Sequence, residues 1–250
     1  MFDNPAIQVD EVIDRLQAAF ERDPWINLHS YPVEFRSEDG RLVMDGTVEH
    51  VAAKRRARVL AESLVGQHLS VDDRLRREPV EKQGDRQIRD KVMDWLSMES
   101  MFLEYTLGAE TGNRVETIRD SGPGSHEIIV HVDDGKVTLK GSVGSLTHRR
   151  VAEAMTWWVY GCETVENQLA VMPDEEDSDD EINDAVRIVL EKDPTLDADQ
   201  FHTRTSDHVV QIEGLAADDM MKKYAVMDVW SVSGVWDVVD RVSVKGSEPA

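Results

Sequence analysis

A single cysteine, Cys162, stands in 250 residues. It excludes an internal disulfide and leaves no cysteine-based zinc ligand set. Directly after Gly161, it reads as a small buried residue at a helix–strand corner, with a reactive thiol as the alternative. No apolar run approaches the roughly 18 residues that a spanning helix needs, so no transmembrane segment is expected. The opening residues Met1-Phe2-Asp3-Asn4-Pro5 carry neither a basic nor an apolar leader segment. The expectation is a cytoplasmic chain, or a periplasmic one if a leader has been trimmed.

Basic residues are also scarce: 28 Lys and Arg face 50 Asp and Glu, for a net charge of −22. The deficit is uneven, at −4 over residues 1–82, −5 over 83–172 and −13 over 173–250. Nucleic acid is excluded as a partner, because binding it requires cations that displace counterions from phosphates. The charge itself reads as solubility and self-repulsion, or as a preference for a cation or a basic partner.

Catalytic signatures are missing too. There is no serine elbow, no Walker loop and no G-x-G-x-x-G. Gly122-Pro123-Gly124 reads as a turn, since proline removes an amide donor. Of eight histidines, His68 among them, His126 and His131 stand five apart without a partner pattern. No catalytic residue, cofactor or metal is expected. The acids are too numerous for any carboxylate pair to point to acid–base chemistry.

What the chain does contain is a repeat. A strand ending near a glycine is followed by a second glycine 20 residues later, three times: Gly46 and Gly66, Gly141 and Gly161, Gly214 and Gly234. Recurrence at fixed spacing indicates tandem copies of one supersecondary unit. Each copy opens with a helical stripe. In the first it is Val12, Ile13, Leu16, Ala19 and Phe20, stopped at Asp23-Pro24. In the second it is Ile88, Val92, Trp95 and Leu96; in the third, Ile182, Val186, Val189 and Leu190 before Asp193-Pro194.

Two strands follow, with Asp39-Gly40 and Asp134-Gly135 as hairpin turns. The third copy has no turn glycine, and a looser turn or one of another type is expected there. The first glycine of each pair is read as ending its strand, the second as a left-handed cap on the next helix. Counting from the first glycine, position +11 is alanine every time, Ala57, Ala152 and Ala225, which implies close approach of helix to sheet. A closing strand, Thr164–Val171 or Asp237–Val244, is expected parallel to its neighbour. In copy one it fits only with one extra residue after Gly66.

The fold class is therefore α+β: three tandem α-β-β-α-β sandwich repeats, each a three-stranded mixed sheet against two helices. The expected domains are residues 7–78, residues 85–172 with a loop insertion at about 104–125 that has at most a short element of its own, and a degenerate third at 181–246.

The segments Asp134-Gly135-Lys136-Val137-Thr138-Leu139-Lys140-Gly141-Ser142-Val143 and Val165-Glu166-Asn167-Gln168-Leu169-Ala170-Val171 resemble the BON domain of bacterial osmotically induced and nodulation-linked proteins. The resemblance covers nearly the whole chain. It implies a small sandwich used as a non-catalytic binding module. It further implies phospholipid contact, as in envelope members, or potassium sensing, as in a cytoplasmic relative, and a link to osmotic stress.

Two sets of residues are candidate sites. Basic pairs occupy +8 and +9 of every second helix: Lys54-Arg55, Arg149-Arg150 and Lys222-Lys223. They read either as solvated first turns with local ion pairs or as anion or headgroup sites beside a helix N-terminus. Trp157, Trp158, Trp230 and Trp236 read either as core packing or as a docking face for an unknown protein partner or a second copy of the chain.

Overall fold

The computed structural model describes residues 5–66 and 69–246, with side chains from Glu11 onward. Met1–Asn4, His68 and the extra residue expected after Gly66 lie outside the described residues. The chain divides into two units, Met1–Glu78 and Pro79–Ala250.

In the first unit, helix α1 (Pro5–Arg22) buries Leu16 and Phe20 and stops before the Asp23-Pro24 pair. Asp23 Oδ1 takes the Trp25 N–H at 3.0 Å. Strands β1 (Val33–Glu38) and β2 (Arg41–Val48) form an antiparallel hairpin whose turn residues, Asp39 and Gly40, have φ of 49° and 74°. Paired positive φ values are the signature of a type I′ turn, whose twist matches that of the strands. Helix α2 (Val51–Val65) is capped by His50 Nδ1, which accepts the Ala53 N–H at 3.0 Å. Ala53, Ala57 and Ala61 line its buried face. Strand β3 (Ser70–Arg77) returns parallel to β2, giving the order β1-β2-β3.

The second unit holds two copies of the same plan. The middle copy comprises α3 (Asp85–Met98), β4 (Thr106–Thr111), β5 (Arg114–Arg119), β6 (Glu127–Asp133), β7 (Lys136–Val143), α4 (Leu146–Trp157) and β8 (Thr164–Val171). The third comprises α5 (Asp179–Lys192), β9 (Phe201–Ser206), β10 (Val209–Ala216), α6 (Asp219–Ser231) and β11 (Asp237–Val244). Ser145, Ser178 and Asp218 cap α4, α5 and α6 through their side-chain oxygens. Ala57, Ala152 and Ala225 are all fully buried, as close helix–sheet packing requires. Helix α4 packs on α5, and α6 packs on both, so copies two and three share a helical layer.

Three details differ from the sequence reading. The insertion is not a loop: β4 and β5 form a hairpin around Gly112 that adds to the edge of β6, making a five-stranded sheet β5-β4-β6-β7-β8. The third hairpin is not looser: Asp207 and His208 adopt φ of 52° and 62°, close to the two Asp-Gly turns. His208 is held there by its N–H to Asp179 Oδ1 (2.9 Å), by Nδ1 against Gly234 O (3.1 Å) and by stacking on Trp236 at 4.0 Å.

The third difference concerns the first glycines, which do not end their strands but lie two residues inside them. There the preceding segment crosses so closely that a Cβ on Gly141 would come within 2.1 Å of Glu127 O, and one on Gly214 within 2.1 Å of Gln200 O. Gly46 repeats this against Pro32 O at 2.7 Å. The second glycines have positive φ after their helices; Gly66 is itself the C-cap of α2. Cβ atoms on Gly161 and Gly234 would press on Ile88 and Ile182, the same position in two first helices.

Candidate functional site

The +8 cations reach across each repeat to one position of the closing strand. Lys54 Nζ meets Asp73 Oδ2 at 2.9 Å and donates to Leu75 O at 2.6 Å. Lys222 Nζ meets Asp240 Oδ2 at 3.0 Å and donates to Val242 O at 2.6 Å. Arg149 donates to Asn167 O at 3.3 Å, and Asn167 Nδ2 returns a bond to Arg149 O at 2.9 Å. Asp73, Asn167 and Asp240 are each the fourth residue of their strand. Each uses Oδ1 to take the N–H two residues on, at 3.0, 3.2 and 2.8 Å. The set is a clamp from helix to strand, repeated three times. Burial pushes the Lys54 ammonium below the usual lysine range, with Asp73 opposing.

The +9 residues diverge. Arg55 is half-buried and Lys223 is exposed. Arg150, only 3% exposed, sits where the second and third repeats meet. Its Nε donates to Ser233 O at 2.8 Å, and one terminal nitrogen meets both oxygens of Asp177 at 2.6 Å. Lys192 to Glu99 (2.8 Å) and Thr147 to Glu181 (2.8 Å) cross the same junction. Burial works against ionisation of Glu99, but Lys192, Ser100 and the Met101 amide outweigh it and hold the carboxyl below the usual range.

The four tryptophans do not make one surface. Trp157 and Trp230 are buried. Trp158 packs edge-on to Trp95 and donates Nε1 to Asp228 Oδ1 at 2.9 Å, across the junction. Trp236 is half exposed and covers His208.

Other features carry no sequence signal. Asp228 is buried on α6, and its carboxyl is raised well above the usual range by burial first and by Asp193 second. Tyr105 stacks between His126 (5.4 Å) and His148 (5.6 Å), and its hydroxyl accepts the Gly144 N–H at 2.9 Å. Burial, then His126, lowers the His148 pKa. A groove of about 360 Å³ runs between α5 and β9. Among the described residues, no group of three His, Cys, Asp or Glu is placed to hold a metal, and no helix is long and apolar enough to cross a membrane.

Among curated proteins no match is found. Of solved structures, the C-terminal domain of CdsD, a structural protein of the type III secretion system of Chlamydia trachomatis, is 13% identical, with a TM-score of 0.23 over 93% of this chain and 96% of that one. The PrgH periplasmic domain is 12% identical, with a TM-score of 0.22 over 86% of this chain and 95% of that one. Likeness at this level assigns neither function nor partner. A family model described as the BON domain matches residues 8–79, 116–173 and 178–246. The middle matched segment begins inside β5, so α3 and β4 lie before it. The three segments span well over half of the sequence, and the chain belongs to the BON domain family.

Proposed function

We propose that this chain is a non-catalytic binding protein, a scaffold whose repeats present surfaces to partners. The observation that carries the reading is the clamp. The polar residues that recur in every copy, Lys54, Arg149 and Lys222 with Asp73, Asn167 and Asp240, bond to one another or to backbone inside their repeats. Recurring residues thus serve shape, and what differs between copies is edge and surface. Fold alone does not dictate activity, so the reading rests on these contacts together with the family.

The test is affinity capture with the full chain, followed by calorimetric titration of each purified co-purifying protein. Saturable binding is expected. A chain that saturates with none of them, or that turns over a chemical substrate, contradicts the proposal. A second reading, a monovalent-cation sensor, is favoured by the charge of −13 over residues 173–250. Melting in potassium, sodium and choline chloride at equal ionic strength separates the two. A ligand that binds only the folded state raises the melting temperature, so a rise confined to potassium supports the sensor.

A further inference from the structure

The middle repeat shows what its sheet edge does when a strand is offered to it. Strand β4 lies parallel to β6, with Leu107 beside Ile128, Gly108 beside Ile129 and Ala109 beside Val130. Leu107 and Ala109 are buried. Arg89 of α3 contacts Thr111, and Arg119 of β5 donates to Ser97 O at 3.2 Å. The hairpin therefore fills a slot between the first helix of the repeat and its first strand.

The third repeat has the same slot, and among the described residues no strand fills it. Strands β6 and β9 correspond through their pairing, since Ile128 faces Gly141 as Phe201 faces Gly214. The residues of β9 equivalent to those carrying β4 are thus Phe201, His202 and Thr203. Helices α3 and α5 correspond as well. Asp85 accepts the N–H groups of Asp134 and Gly135, and Asp179 accepts those of Asp207 and His208. Arg89, Leu96 and Ser97 hence correspond to Asn183, Leu190 and Glu191. Those three, with Phe201, His202 and Thr203, line the groove of about 360 Å³. Among the described residues no strand pairs with the outer edge of β9.

We propose that the β9 edge is a strand-addition site that takes an extended peptide segment of a partner protein. The segment lies parallel to β9, with apolar or small side chains at alternate positions against Leu190 and Phe201. An unpaired edge supplies backbone affinity, and alternate pockets supply selectivity. The segment is uncharged where β4 carries Glu110. Glu110 meets Lys140 at 2.7 Å, and Lys140 pairs with Ile129. In the third repeat Glu213 takes that place beside His202 and would repel an acid. The proposal rests on the binding-protein reading and specifies one of its surfaces.

The probe is a fluorescein-labelled peptide of residues 104–113 carrying Glu110→Gln, titrated by anisotropy into the full chain. Saturable binding is expected, with new hydrogen-exchange protection confined to Phe201–Ser206. Glu191→Trp, an exposed position on α5, and Asn183→Trp fill the groove. Each is expected to weaken binding by about tenfold or more, with the melting temperature unchanged for Glu191→Trp, whereas Asn183→Trp also gives up the hydrogen bond from Thr205. No binding by the wild type, equal binding by both variants, or protection at β1 or β6 instead of β9 overturns the assignment. Any of these leaves the scaffold reading to its own calorimetric test, which does not use this peptide.

Discussion

Replacing Arg150 by alanine removes a guanidinium whose side chain is only 4% exposed at the junction of repeats two and three. Two losses follow. Ser233 O loses a buried charge-assisted donor, worth about 1.5–3 kcal/mol. The aliphatic stem loses its packing, worth about 1 kcal/mol. Asp177 is 47% exposed and regains water, so its share is small. The total is about 3 kcal/mol, at the lower end of what breaking a buried ion pair costs. Arg150→Lys keeps the charge but not the fork, and should lose roughly half as much. Urea unfolding followed by tryptophan emission measures both. Five of the six tryptophans, Trp95, Trp157, Trp158, Trp230 and Trp236, lie in the second unit, so emission reports on it. A loss below about 0.5 kcal/mol for Arg150→Ala, with binding of an anionic ligand abolished, would refute the structural role and revive the anion-site reading.

Asp228 holds its proton more tightly folded than unfolded, so its contribution is favourable at low pH and is lost as pH rises through the folded pKa. Asp228→Asn should therefore be more stable than wild type at about pH 7.5, and the gap should shrink toward about pH 5 in urea titrations; a pH-independent gap counts against a raised carboxyl. At the third hairpin, His208→Gly relieves a left-handed φ but forfeits the Trp236 stack, so stability should stay within about 1 kcal/mol, whereas His208→Val should lose about 2 kcal/mol. Gly141→Ala drives a Cβ to 2.1 Å from Glu127 O and should lower stability by about 3 kcal/mol or more, read as a fall in the urea midpoint.

Much of the fold was legible in the residues. The Leu16 and Phe20 stripe, the Asp-Gly turns and the thrice-repeated alanine place helices and strands because each follows from local chemistry or period. The third turn was not, because His208 adopts its conformation only with help from Asp179, Gly234 and Trp236, all distant in sequence. The β4–β5 hairpin was hidden for a related reason. Residues 114–118 are all exposed, so they carry no buried-face alternation, and what makes the segment a strand is its pairing with β4, which itself lies along the edge of β6. Lys54-Arg55, Arg149-Arg150 and Lys222-Lys223 were visible as a pattern, but their partners lie 18–21 residues on for the +8 set and up to 83 on for Arg150. Spacing along one helix could not separate a clamp from a ligand site. Asp228 offered nothing to read among so many acids.

The most direct test replaces all three clamp cations at once, Lys54→Met, Arg149→Met and Lys222→Met, and compares melting temperature with co-sedimentation on anionic vesicles at low and physiological salt. A clearly lower melting temperature and the same vesicle behaviour as wild type are expected. An unchanged melting temperature together with lost vesicle binding would mean that these side chains face a ligand rather than their own strands.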